Sequence, residues 1–306
     1  MLTNISLPPL PLDEWIATKN TLHLYCQLIG KIKLKLNPYK NHWWSAALYI
    51  NARGIGTSPL PYMDKLVEFN FDFCKHQLVI TTNHSEIEII ELKEGLCVAA
   101  FYKQVFAALD RLHIEVKIIA KPYGIDIITP FAEDDEHCSY DKEYVTRFWK
   151  AYSFADAVLK EFSGRFIGKC SPVHVFWHSF DIAVTRFSGR LSPPMVGANK
   201  VNAEAYSHEV ISAGFWSGDK NVPEPAFYSY TAPSPVGLDQ EPLQPAGKAK
   251  WIQLNGSPEA ILTYEDVRHA DDSKAAVLSF LESSYIAGAK LAGWDTDNFR
   301  AKIHST

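Results

Sequence analysis

Val173-His174-Val175-Phe176-Trp177-His178-Ser179-Phe180-Asp181-Ile182-Ala183-Val184-Thr185-Arg186-Phe187 is the stretch on which the fold turns. It follows Pro172 and is dense in branched and aromatic side chains, the composition of a strand. In one extended segment, successive side chains point to opposite faces. Asp181 then shares a face with Trp177 and Ser179, and Arg186 shares the other face with His174. On a helix, His174 and His178 would stand one turn apart and could chelate zinc. Along a strand they lie about 13 Å apart, too far for two nitrogens each about 2 Å from one ion. The two histidines therefore read as sheet side chains. No metal site is expected, and the sequence names no cofactor.

Outward from this stretch, helical and extended patterns alternate. Trp15, Ile16, Leu22 and Ile29 mark a helix over residues 12–28. Lys31-Ile32-Lys33-Leu34-Lys35-Leu36 then alternates strictly, which predicts a half-buried strand. Residues 43–52, 67–74, 77–82 and 86–91 read as further strands, with turns at Lys75-His76 and Asn83-His84-Ser85. Val98, Phe101, Val105, Phe106 and Leu109 predict an amphipathic helix, followed by a short strand at 115–120. Glu133-Asp134-Asp135-Glu136 reads as a solvated linker, dividing a half at 1–132 from one at 133–306. Asp141 caps a helix that Gly164 stops. Strands are expected at 208–216, 226–231 and 260–264, with a proline-rich irregular loop at 222–247. A last helix runs from Asp272-Ser273 to Gly293.

The expected fold is α+β, with antiparallel sheets flanked by helices. Trp44 precedes Arg53 by nine residues, as Trp177 precedes Arg186. That spacing admits two pseudo-repeated helix–strands–helix halves, helix-grip-like or TATA-binding-protein-like by analogy; chance spacing in a Trp-rich chain is the alternative.

Composition narrows function. The 306 residues carry a net charge of −5 and are 47% hydrophobic, so a core forms and a dedicated nucleic-acid-coating protein is not expected. The acid-free region from Trp15 to Met63, with Tyr39, Trp43 and Trp44 among its basic residues, reads more simply as a solvated sheet face than as a single-strand stripe. No run approaches the roughly 18 apolar residues of a membrane span. The first thirteen residues lack a signal pattern, so a cytoplasmic protein is expected. Five scattered cysteines without a CxxC pair read as free thiols. The Asn-x-Ser triplets at Asn4, Asn83 and Asn255 would matter only after secretion.

Two residues are candidates for acid–base chemistry. Asp181 sits in an apolar strand, where a lone charge is costly and must find a partner. His208, alternating with Tyr206, titrates ordinarily near neutrality. Trp44, Trp177 and Trp216 with Arg53, Arg186 and His174 are candidate ligand-binding residues, the arginines suiting a carboxylate or phosphate. The leading expectation is a small aromatic or anionic ligand in a cleft where the halves meet. The alternative is an interaction module, a homo-oligomer without catalysis.

Several runs also resemble a known family. They are Thr21-Leu22-His23-Leu24, Asn41-His42-Trp43-Trp44, Ser179-Phe180-Asp181, Ala183-Val184-Thr185-Arg186-Phe187-Ser188-Gly189-Arg190, Ser207-His208-Glu209 and Ala213-Gly214-Phe215-Trp216. Together with Ala292-Gly293-Trp294-Asp295 they are similar to a bacterial family catalogued as domain of unknown function 5996, over nearly the whole chain. That resemblance implies no activity.

Overall fold

The computed structural model describes residues 6–195, 197–254 and 256–302; Asn4 and Asn255 of the triplets lie outside them. The chain forms two compact units. One gathers Asp13–Lys150 with His174–Phe180, the other Ala151–Val173 and the residues from Asp181 on, together with the N-terminal arm.

The first unit opens with α1 (Leu12–Leu36), which runs straight through the lysine-rich alternation expected to be a strand. No breaker interrupts it. Gly30 is kept in the helix because an added Cβ would overlap the indole of Trp177. The alternation misleads because Lys33 is buried like its neighbour Ile32, while Leu34 is exposed. A buried lysine needs acceptors, and Lys33 donates to the carbonyls of Ala47 and Thr57. Burial draws it down to about 8.

Six strands follow: β1 (Tyr49–Ile50), β2 (Gly54–Gly56), β3 (Leu60–Tyr62), β4 (Lys65–Asp72), β5 (Gln77–Thr82) and β6 (Ile87–Glu91). The antiparallel order is β1-β2-β4-β5-β6, with β3 beside β4. The strand expected over 43–52 shrinks to β1, because His42 and Trp43 adopt positive φ of 56° and 59° and turn the chain. α2 (Val98–Arg111) packs Phe101 against Tyr25 of α1 and Phe71 of β4. Residues 115–120 form no strand.

The acidic stretch is exposed at Glu133, Asp135 and Glu136, as a solvated segment should be, but not at its second residue. Asp134 is buried and its carboxylate accepts from the backbone of Glu136 and His137. This turn brings Cys138 to the start of α2, where it is disulfide-bonded to Cys97. The reading of all five cysteines as free thiols is therefore corrected. Partners 41 residues apart are brought together by backbone contacts that include Gly95 N–H to Cys138 O, Val98 N–H to His137 O and Ala99 N–H to Asp134 O. Cys26, Cys74 and Cys170 are free.

α3 (Lys142–Gly164) starts where the Asp141 carboxylate accepts from the amides of Glu143 and Tyr144. The decisive stretch is extended, but as two strands. β7 (His174–Phe176) ends in a turn closed by Phe180 N–H donating to Phe176 O, and Phe180 has φ of 57°. β8 (Asp181–Leu191) follows. The turn breaks the alternation that had placed Trp177 and Ser179 on the face of Asp181.

The second unit then adds α4 (Lys200–Ala205), β9 (His208–Trp216), β10 (Ala226–Ala232), β11 (Lys250–Leu254), β12 (Ser257–Thr263), α5 (Tyr264–Arg268), α6 (Ser273–Leu291) and α7 (Thr296–Phe299). Its antiparallel sheet runs β11-β12-β10-β9-β8 within this unit. β10 stands where the strand 226–231 is expected, inside the proline-rich stretch 222–247. Pro223 and Pro225 precede it and Pro233 follows, so no proline interrupts its ladder. Helices cover one face: Tyr152 and Phe154 of α3 pack on Phe215 and Phe227. On α6, Gly288 has no room for a Cβ over Thr231. Among the described residues, no helix is long and apolar enough to cross a membrane.

Candidate functional site

The pairing register sorts the second sheet's side chains. Asp181 lies opposite Trp216, which lies opposite Ala226; Ala183, Gly214, Tyr228 and Ile261 form the next rank, and Thr185, Ser212 and Tyr230 the third. Cross-strand partners share a face. Ile182, Val184 and Arg186 therefore face the helices, while Asp181, Trp216, Tyr228 and Tyr230 stand on the opposite side.

On that side, Tyr228 reaches across β9 and donates its hydroxyl to the carboxylate of Asp181. Gly214 permits the crossing: an added Cβ would lie 2.6 Å from Tyr228 Oη and overlap the Ile182 carbonyl. One step along, the Tyr206 and Tyr230 hydroxyls lie 3.0 Å apart, and Thr185 Oγ1 lies 2.9 Å from Ser212 Oγ. The rings form a continuous surface, with Tyr228 stacked on Tyr230 at 6.2 Å and edge-on to Trp216 at 6.5 Å. Ala226, Tyr228 and Ile261 are its buried base, with Trp216, Tyr230 and Ile252 half-buried around them.

A second carboxylate joins Asp181 here. Burial, then the charge of Asp181, pushes the Glu259 carboxyl from 4.5 up to about 7. Burial foremost raises the phenols of Tyr206, Tyr228 and Tyr230 well out of the neutral range, so they remain hydrogen-bond donors. Glu259 is thus a group that exchanges a proton near neutrality, within the field of a second acid and close enough to Tyr206 and Tyr228 to raise their phenols further.

Of the residues expected at a site, Asp181 and Trp216 meet here. His208 does not join them. It begins β9, eight residues before Trp216 and about 26 Å away along the strand, with its Nδ1 3.1 Å from Ser207 Oγ. Arg186 is buried on the helix side. The remaining four lie in the first unit. Arg53 is ion-paired with Asp72, and Trp44 lies under Lys40 Nζ at 5.6 Å. Trp177 lies under Lys31 Nζ at 5.5 Å, and buried His174 packs edge-on against Phe176. The expected single constellation of these aromatic, basic and imidazole groups is therefore divided between the units. Tyr228, Tyr230 and Glu259 were missed. The alternation Tyr228-Ser229-Tyr230 was the available signal for the phenols; nothing local marked Glu259.

An α+β protein with two antiparallel sheets, one carrying an acid–phenol cluster on the face opposite α3 and α6, is the class that fold and site define. Within that class the chain belongs to the family described as a family of unknown function, DUF5996, whose model matches residues 7–301. No curated protein and no solved structure matches the chain.

Proposed function

We propose that this protein binds a small aromatic molecule carrying a basic or hydrogen-bond-donating group on the Asp181 face of the second sheet, with Glu259 exchanging a proton with it. The observation that carries this reading is the pair of carboxylates, Asp181 and Glu259, set among Tyr206, Tyr228, Tyr230 and Trp216. Aromatic faces attract a cation, and a carboxylate pair favours a donor. An anionic ligand is repelled by the same two acids, so the aromatic half of the expectation suits this face and the anionic half does not. The test is a thermal-shift and calorimetric comparison of tryptamine with indole-3-acetate, on wild type and Asp181→Asn. Saturable binding of the amine that weakens at least tenfold in the variant supports the reading; equal binding of the acid overturns it.

A second reading, self-association, rests on β6. It stands last in its sheet and exposes Ile87 and Ile89 by 63% and 55%. Sedimentation over a concentration series tests it: Ile89→Lys should abolish any dimer, and a wild type monomeric throughout removes this reading.

A further inference from the structure

The buried face of the second sheet holds a guanidinium that the acid–phenol site does not use. Arg186 is only 1% exposed, although its residue type is almost never fully buried without a close ionic partner. Its Nη2 donates to the Phe162 carbonyl. Its Cζ lies 3.5 Å from the Phe162 ring centroid, 4.3 Å from that of Tyr285 and 5.2 Å from that of Phe166. The carboxylate paired with it, Glu282, approaches no closer than 4.0 Å and is shared with Arg165 at 3.4 Å. Arg186 Nε and the Tyr285 hydroxyl are both buried without a hydrogen-bond partner. Two unsatisfied polar groups on adjoining side chains are unusual in a closed core.

They border an open groove of about 680 Å³, within the size range of small-molecule sites. Phe166, Ile286 and Phe299 supply its apolar wall; Arg165, Lys290 and Arg300 add positive charge at its sides. Arg165 is also held by Glu161 at 2.7 Å, and Lys290 by Glu241 at 2.8 Å. Four cations thus line the groove with one carboxylate, Glu282, while Glu161, itself shared with Lys274, and Glu241 stand outside its lining. Arg300, exposed at the rim, makes no ion pair among the described residues.

We infer that this groove is a binding site for an aromatic carboxylate, separate from the acid–phenol face. Its carboxylate lies between the Arg186 guanidinium and Arg300, displacing the distant Glu282, and its ring lies along Phe166 and Phe299. The balance of charge and the apolar wall both favour this class: a neutral ring leaves the guanidinium unanswered, and an inorganic anion leaves the wall empty.

The experiment is isothermal titration of the full chain with 2-naphthoate, 2-naphthalenemethanol and inorganic phosphate. Naphthoate should bind at least tenfold more tightly than either of the others. Arg300→Ala, at an exposed position, should fold normally and weaken naphthoate about fivefold or more; Asp181→Asn should leave it unchanged. Ile286→Arg, which fills the groove from its half-exposed side, should abolish binding. Equal affinity for the alcohol or for phosphate overturns the assignment, as does naphthoate binding that ignores both Arg300→Ala and Ile286→Arg, or its absence at millimolar concentration. Because Asp181→Asn reports only on the other face, failure here leaves the tryptamine experiment independent.

Discussion

Replacing Glu259 by Gln should stabilise the protein in a pH-dependent way. In the folded chain this carboxyl titrates at about 7 in place of 4.5, with burial the larger cause and Asp181 the second. An acid whose folded pKa is raised keeps its proton longer in the native state than in the unfolded chain. Below pH 4.5 both states are protonated and the group is indifferent; as pH rises from 4.5 to 7 the unfolded state gains the advantage, and above 7 the native state bears the whole penalty. Moving a carboxyl from 4.5 to about 7 corresponds to roughly 3 kcal/mol, at about 1.4 kcal/mol per tenfold. Glu259 is half-buried, so solvent screening brings the figure to roughly 1.5–3 kcal/mol. Urea unfolding of wild type and Glu259→Gln at half-unit intervals from pH 4.5 to 8.5 reads this directly. The stability of the variant relative to wild type should climb across pH 4.5–7 and level off near pH 8, whatever constant offset the amide introduces. Asp181→Asn should reproduce a fraction of the climb by removing the second cause. A difference that is flat across this range, or that falls with pH, would refute the placement of Glu259 in a shielded acidic site.

Three further outcomes follow from the packing. Gly214→Ala should lose about 1–3 kcal/mol by overpacking, because its Cβ would press on Tyr228 Oη and the Ile182 carbonyl; chemical denaturation gives the loss, and weakened tryptamine binding shows the tyrosine displaced. Gly288→Ala should be destabilising by a similar amount through its overlap with Thr231 Oγ1, whereas Gly288→Ala combined with Thr231→Ala should fall within about 1 kcal/mol of Thr231→Ala alone, a cycle that fails if the two losses simply add. His23, buried and hydrogen-bonded to the Trp177 carbonyl, is held down to about 3, by burial first and Lys19 second. The unfolded chain takes up this proton below pH 6.5 and the native state does not, so stability should fall as pH drops from 6.5 toward 3. Ring nitrogen shifts showing His23 protonated at pH 5 would contradict this.

Much of the fold was legible because local pattern and tertiary role agreed. The stripe of α2, the Asp141 cap of α3, the Asp272 cap of α6 and the strand Gln77–Thr82 each stand where periodicity and capping chemistry put them. Legibility failed where a distant group changed what a local pattern meant. The alternation of 31–36 became helix because two loop carbonyls receive the Lys33 ammonium and Trp177 fills the space beside Gly30. Two of the scattered cysteines formed a pair because a turn around buried Asp134 carries Cys138 to the start of α2.

The candidate site divides in the same way. Asp181 and Trp216 could be picked out in the chain, since an acid in an apolar strand has to be answered by some partner. The identity of that partner could not. Tyr228 answers it from 47 residues away, across an intervening strand whose glycine lets the ring pass. Glu259 belongs to the site because β12 pairs with β10 in one register, and a slip of one residue would turn it to the other face. Sequence alone determined the α+β character, most of the helices and the presence of a buried acid, because these follow from spacing along the chain. Only the tertiary structure decided which groups surround that acid and which surround Arg186 on the other face, because strand pairing and register are set by contacts between residues far apart in the chain.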